Sequence, residues 1–152
     1  VCPTELIAFS DRGDDFKALN AQVIAISVDS EHAHWAWSGM ERKDGGIKGI
    51  KIPLVSDLTK EISRSYDVLW EEEGVALRGM FILDTKGIIR VKHINDFPLG
   101  RNVEEAIRLL EAIHHADKHG EVCPAGWKKG GRTIVPEPEA SLKYFKSVND
   151  EL

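Results

Sequence analysis

"QVIAISVDS", residues 22–30, decides the fold. The run is nearly continuous in apolar residues and rich in β-branched ones, the pattern of a strand covered on both faces in a parallel or mixed sheet. Helices must then flank it, and the neighbouring sequence supplies them. Upstream, Pro3 to about Leu19 reads as a helix. Pro3 suits a first helical turn, where its missing N–H is no loss, and Glu5 complements the positive end of the helix dipole. "DRGDD" (11–15) predicts a break or bend in that helix. Downstream, "SEHAHWAW" (30–37) reads as a short helix with Ser30 as N-cap.

The remaining elements follow the same logic. "RKDGGIKGIK" (42–51) is a glycine-containing loop, "IPLVSD" (52–57) a short strand, and "LTKEISRSY" (58–66) a helix with Asp57 as its cap. "RGMFILD" (78–84) is a buried strand, "TKG" a turn, and "IIRVKHIN" (88–95) alternates apolar and polar residues. That pair predicts an antiparallel hairpin. "NVEEAIRLLEAIHHADKH" (102–119) is the clearest helix, with Asn102 as cap and Glu105 at the capping-box position. Beyond Gly120 the chain turns rich in Pro and Gly and reads as an extended arm, ending in a short helix over "SLKYFKSVNDEL" (141–152). The expected architecture is α/β: a mixed central sheet with helices on both faces over residues 1–119, and a C-terminal arm over 120–152.

Composition narrows the function classes. The 152 residues are 42% hydrophobic and 30% charged, which is ordinary for one globular domain with a real core. The net charge of −5 and the lack of a basic block argue against nucleic acid as a partner. No apolar run approaches a membrane span of about 20 residues. Val1 is not a start residue, so the reading expects chain upstream.

The only cysteines are Cys2 and Cys123, with no CxxC pair. They leave three options: inert core thiols, one structural bridge, or a functional redox pair. Cys2 stands at a helix N-terminus, where exposed N–H groups and the dipole favour a thiolate. Position alone leaves open whether it is a nucleophile or a packing residue.

Five motifs in order, "VCPTE" (1–5), "ALRGMFILD" (76–84), "FPLGR" (97–101), "EVCPAGW" (121–127) and "KYF" (143–145), resemble a typical 2-Cys peroxiredoxin. The subgroup includes alkyl hydroperoxide reductase C and the eukaryotic thioredoxin peroxidases. The resemblance covers the chain from Val1 to about Phe145. It implies a thioredoxin-like fold and reduction of hydrogen peroxide and organic hydroperoxides by a cysteine, with no metal, haem or other cofactor. Cys2 matches the peroxidatic cysteine, whose thiolate attacks the O–O bond and becomes a sulfenic acid. Cys123 matches the resolving cysteine, which in the family comes from the other subunit and closes an intersubunit disulfide. A thioredoxin-type dithiol then reduces that bridge. Arg78 matches the arginine flanking the thiol, Arg101 a second supporting arginine, and Glu5 the carboxylate that orients both. The resemblance further implies a homodimer and, commonly in the subgroup, a ring of five dimers.

Departures from the family pattern carry expectations of their own. The proline and threonine that precede the family's peroxidatic cysteine are not in this sequence, so the 152 residues alone are expected to make a poor peroxidase and to expose a sheet edge. The family's GGLG loop reads "GGIK" at residues 45–48, while its terminal pair is kept as Tyr144–Phe145. Partial sensitivity to overoxidation is expected. The alternative function is a holdase chaperone or a peroxide-signalling relay. His32, His34, His115 and His119 read as solvent-exposed histidines, since no ligand set accompanies them. Trp35 and Trp37 read as core or interface residues. "NDEL" at the C-terminus resembles the KDEL and HDEL retention signals. The cytoplasm is the expected compartment, and the lumen of the endoplasmic reticulum the alternative.

Overall fold

A computed structural model describes residues 1–149, so the last three residues of "NDEL" lie outside the described residues. The chain divides into two compact units, Val1–Val103 and Glu104–Leu152.

The first unit begins with α1 (Cys2–Asp11) and α2 (Gly13–Ala18). The expected break falls between them at Arg12, whose φ of −94° and ψ of 16° leave the helical region. Phe9 and Phe16 stack across it with ring centroids 5.7 Å apart. β1 (Ala25–Ser27) then pairs in parallel with β2 (Leu54–Ser56), in the register Ala25↔Leu54 to Ser27↔Ser56. The strand is shorter than residues 22–30. Its C-terminal end is diverted into side-chain bonds: Ser56 Oγ donates to the Asp29 carbonyl, and Ser30 Oγ accepts from Ala33 N to cap α3 (Glu31–Gly39). Nor is it covered on both faces. Ile26 and, just ahead of the strand, Ile24 are exposed on one face.

A 3₁₀ turn (Arg42–Asp44) leads to the glycine loop. This loop is a structural part of the unit: Ile47 is fully buried, and Trp37 Nε1 donates to the Gly45 carbonyl. At Gly46 only glycine fits, since a Cβ there would lie 2.1 Å from the Met40 carbonyl oxygen. α4 (Glu61–Ser65) starts three residues later than the sequence suggests, with Lys60 rather than Asp57 at the N-cap position, yet Asp57 still holds its first turn. Its buried carboxylate accepts from Ile62 N, Ser63 N and Ser63 Oγ.

A small hairpin, β3 (Leu69–Trp70) with β4 (Val75–Ala76), has no counterpart in the sequence reading. Two-residue strands are too short to show a period. β5 (Arg78–Leu83) and β6 (Ile89–Asn95) form the expected antiparallel hairpin, from Arg78↔Asn95 to Ile82↔Val91. Asp84 closes its turn by accepting from Lys86 N and Ile88 N. Parallel and antiparallel pairing are thus both present, but as three separate two-stranded ladders, because no described strand is shared between pairs.

The second unit carries α5 (Val103–His119) from its second residue onward, the arm, and α6 (Pro138–Asn149). The arm is tethered rather than loose. Val122 and Ile134 form an antiparallel bridge, and Trp127 is buried. Arg108 forks onto Glu105 and donates through Nη1 to the Trp127 carbonyl at 2.9 Å. No helix among the described residues is long and apolar enough to cross a membrane.

Candidate active site

Cys2 is the first residue of α1 and is exposed. Glu5 lies three residues on, so the helix places both side chains on one face. Unlike Cys2, Glu5 is buried, with a side chain only 2% exposed. A buried carboxylate must be paired, and here two arginines meet it. Arg78, the first residue of β5, donates through Nη1 to Glu5 Oε2 at 2.7 Å and to Cys2 Sγ at 3.3 Å. Arg101 donates to Glu5 Oε1 from its backbone N at 2.6 Å and from Nε at 2.9 Å, and to Oε2 from Nη2 at 2.9 Å. Each arginine is also fixed by a carbonyl: Arg78 Nε donates to Phe97 O at 2.6 Å, and Arg101 Nη1 to Gly79 O at 2.8 Å.

The electrostatics follow from this geometry. Burial pushes the Glu5 carboxyl upward, but the hydrogen bonds from Arg101 and the charges of both arginines outweigh it and hold the group below its ordinary value. Burial likewise works against the charge on Arg78, and its contacts with Cys2 and Glu5 more than offset that. A guanidinium N–H at a sulfur is a donor suited to a thiolate or to an oxygen bonded to that sulfur.

The structure therefore gathers Cys2, Glu5, Arg78 and Arg101 into one hydrogen-bonded cluster. Cys123 belongs to the other unit, and both cysteines are free thiols. Cys123 Sγ donates to the Ala112 carbonyl at 3.7 Å, and burial pushes its thiol up despite the nearby charge of Arg108.

Sequence reasoning missed three supports. Asn95 Nδ2 donates to the carbonyls of Leu99 and Gly100 and so shapes the loop that delivers Arg101. Gly79 must be glycine, because a Cβ there would lie 2.7 Å from the Phe81 ring and 3.1 Å from Val68. Trp70 stacks on Phe97, whose carbonyl fixes Arg78. Both Gly79 and Phe97 lie inside quoted motifs, but only the backbone trace explains them. The histidine reading needs correction. His34 is buried, with Nε2 2.6 Å from Ser27 Oγ, and His115 Nε2 lies 3.0 Å from Glu121 Oε2. Trp35 is 80% exposed, so it is not a core residue of this chain.

Comparison with known proteins matches most of the chain to two family models. The AhpC/TSA family matches residues 1–92, and the C-terminal domain of 1-Cys peroxiredoxin matches residues 112–147. Human peroxiredoxin-4 is 54% identical over 149 residues, covering 98% of this chain and 55% of that protein. Peroxiredoxin-2 of Rattus norvegicus is 51% identical, covering 98% of this chain and 75% of that protein. Among solved structures, reduced 2-Cys peroxiredoxin of Plasmodium vivax superposes with a TM-score of 0.93 at 39% identity, covering 95% of this chain and 75% of that one. The mitochondrial 2-Cys peroxiredoxin of Plasmodium falciparum gives 0.78 at 47% identity, covering 82% and 73%. The chain spans about half the length of the peroxiredoxin-4 relatives it matches.

Proposed function

The chain belongs to the AhpC/TSA family of peroxiredoxins, with their thioredoxin-like α/β fold, and on that premise we propose that it reduces hydroperoxides through Cys2. One observation carries the reading: Arg78 touches both the Cys2 sulfur and the buried Glu5 carboxylate. Glu5 and the Phe97 carbonyl hold the guanidinium still, so its Nη1 donor is already aimed when the substrate arrives. The Cys2 thiolate attacks one peroxide oxygen. An S–O bond forms, the O–O bond breaks, and the leaving oxygen takes up a proton to depart as alcohol or water. Arg78 stabilises the charge moving from sulfur to oxygen, and Arg101 acts through Glu5 as a positioning residue.

Resolution follows by condensation of the sulfenic acid with Cys123 of a second copy, releasing water and closing an intersubunit disulfide. The Cys123 thiol is half-buried and hydrogen-bonded, so its segment must leave the α5 surface before it can attack. A thioredoxin-type dithiol then reduces the bridge, with no metal or organic cofactor. The catalytic unit is a homodimer, and a ring of five dimers is the higher assembly that fits the family. For the compartment, the cytoplasm is the first reading and the endoplasmic reticulum lumen the alternative.

The test is a Cys123→Ser variant given one equivalent of peroxide. The expected result is a sulfenic acid on Cys2, labelled by dimedone, and no covalent dimer on a non-reducing gel. An unmodified Cys2 would overturn the proposal.

A further inference from the structure

The small β3–β4 hairpin reaches both ends of Arg78. Its strands pair as Leu69↔Ala76 and Trp70↔Val75, and Leu77 N donates to the Val68 carbonyl at 2.8 Å, one residue before Arg78. That fixes the backbone end. At the other end the guanidinium has two anchors. Nη1 serves Cys2 Sγ and Glu5 Oε2, and Nε donates to the Phe97 carbonyl at 2.6 Å. A planar fork held at one nitrogen can swing about that contact, and a second contact sets where the first nitrogen points. The Phe97 carbonyl therefore governs the aim of Nη1 at the sulfur. The loop that carries this carbonyl is bonded within itself. Asp96 Oδ1 accepts from Phe97 N at 2.7 Å, Leu99 N donates to the Asp96 carbonyl at 3.1 Å, and Asn95 Nδ2 reaches the Leu99 and Gly100 carbonyls. The Phe97–Pro98 peptide has no N–H to anchor it. The Phe97 ring supplies a tie beyond the loop. It stacks on Trp70 with centroids 5.5 Å apart and ring planes 21° from parallel. Trp70 is 41% exposed, so core burial does not account for its place there.

We propose that Trp70 is a positioning residue for peroxide attack, acting through the Phe97 carbonyl on the Arg78 guanidinium. The proposal rests on the peroxidase reading above. Trp70 touches neither the sulfur nor Arg78 in any hydrogen bond; its ring holds the Phe97 ring, the Phe97 carbonyl holds Nε, and Nη1 of the same guanidinium meets the sulfur. The hairpin that sets the backbone of Arg78 thus also grips the loop that sets its side chain. Both ends of the arginine move together with one element, so the donor keeps its direction when the loop fluctuates. A flat ring suits this task, because stacked faces fix the separation of the two elements and their relative tilt.

The test uses the full chain in a Cys123→Ser background, which leaves Cys2 as the single thiol and stops the reaction at its sulfenic acid. Attack by hydrogen peroxide is followed by rapid quench and mass spectrometry, with alkylation of Cys2 by iodoacetamide measured in parallel. Trp70→Leu keeps apolar bulk and loses the flat ring. It is expected to slow peroxide attack on the order of tenfold. Alkylation should slow much less, since it uses no donor aimed at a peroxide oxygen. Trp70→Phe keeps a ring to stack and should recover most of the rate. In an Arg78→Met background, Trp70→Leu should cost no more than about twofold, because the two residues act on one step. An unchanged rate in Trp70→Leu would overturn the positioning role and leave the peroxidase reading intact. So would equal slowing of peroxide and iodoacetamide, a Trp70→Phe rate no better than that of Trp70→Leu, or an undiminished loss in the Arg78→Met background. No sulfenic acid on Cys2 with Trp70 and Arg78 both intact would overturn the two readings together.

Discussion

Glu5 accepts four hydrogen bonds from two arginines and is almost fully enclosed, so it sets the position of every other charge in the site. Glu5→Ala would leave the largely buried Arg78 without its counter-charge, a loss on the order of 3 kcal/mol in stability. Chemical denaturation would read it as a lowered midpoint, and a midpoint unchanged from wild type would contradict the pairing. The carboxyl is held below its ordinary value of 4.5, so its contribution is fully present above that pH. It is lost as pH falls through the depressed value, because the unfolded chain then binds more protons. Glu5→Gln should therefore lose the part of the acid-induced destabilisation below about pH 4.5 that wild type shows in melting curves. Arg78→Met keeps most of the bulk but removes the donor at Cys2. The rate of peroxide attack should fall on the order of a hundredfold, measured by stopped-flow under single-turnover conditions. A loss of less than about threefold would show that Arg78 does not act on the reacting atoms.

At the scale of elements, the long, periodic segments were readable and the short ones were not. α5 and the β5–β6 hairpin match their sequence signals to within a residue, since the apolar stripe of the one and the alternation of the other are local properties. β1 is shorter than its apolar run because such a run reports burial only where another element packs over its face, and the face carrying Ile24 and Ile26 is exposed. The glycine loop was under-read. Nothing local in "GGIK" shows that Ile47 is the most buried side chain of its unit or that Gly46 abuts the Met40 carbonyl. Gly46→Ala should therefore destabilise the fold by at least about 2 kcal/mol in denaturant titration, whereas Gly45→Ala, with open space at its Cβ but a φ of +82°, should cost about 1 kcal/mol. In the site itself, the helix start in front of Cys2 was visible from Pro3 and the dipole. Glu5, Arg78 and Arg101 were visible only through the motifs, because residues 5, 78 and 101 meet through tertiary structure alone.

At the scale of the whole molecule, the proposed resolution step depends on how fast the Cys123 segment leaves its tether. The Val122–Ile134 bridge, the buried Trp127 and the α6 helix all hold that segment down within its unit. Slow release lengthens the life of the sulfenic acid and gives a second peroxide time to carry it to sulfinic acid. With the terminal Tyr144–Phe145 pair retained and the loop altered to "GGIK", graded peroxide should produce some sulfinic Cys2 by mass spectrometry, and deletion from Pro138 onward should reduce it. No sulfinic form at any dose would sink that expectation. The central claim, that Cys2 is the attacking atom, is tested most directly by peroxide consumption coupled to thioredoxin in wild type and Cys2→Ser. The account predicts turnover in wild type and none above background in the variant; equal turnover in both would contradict it.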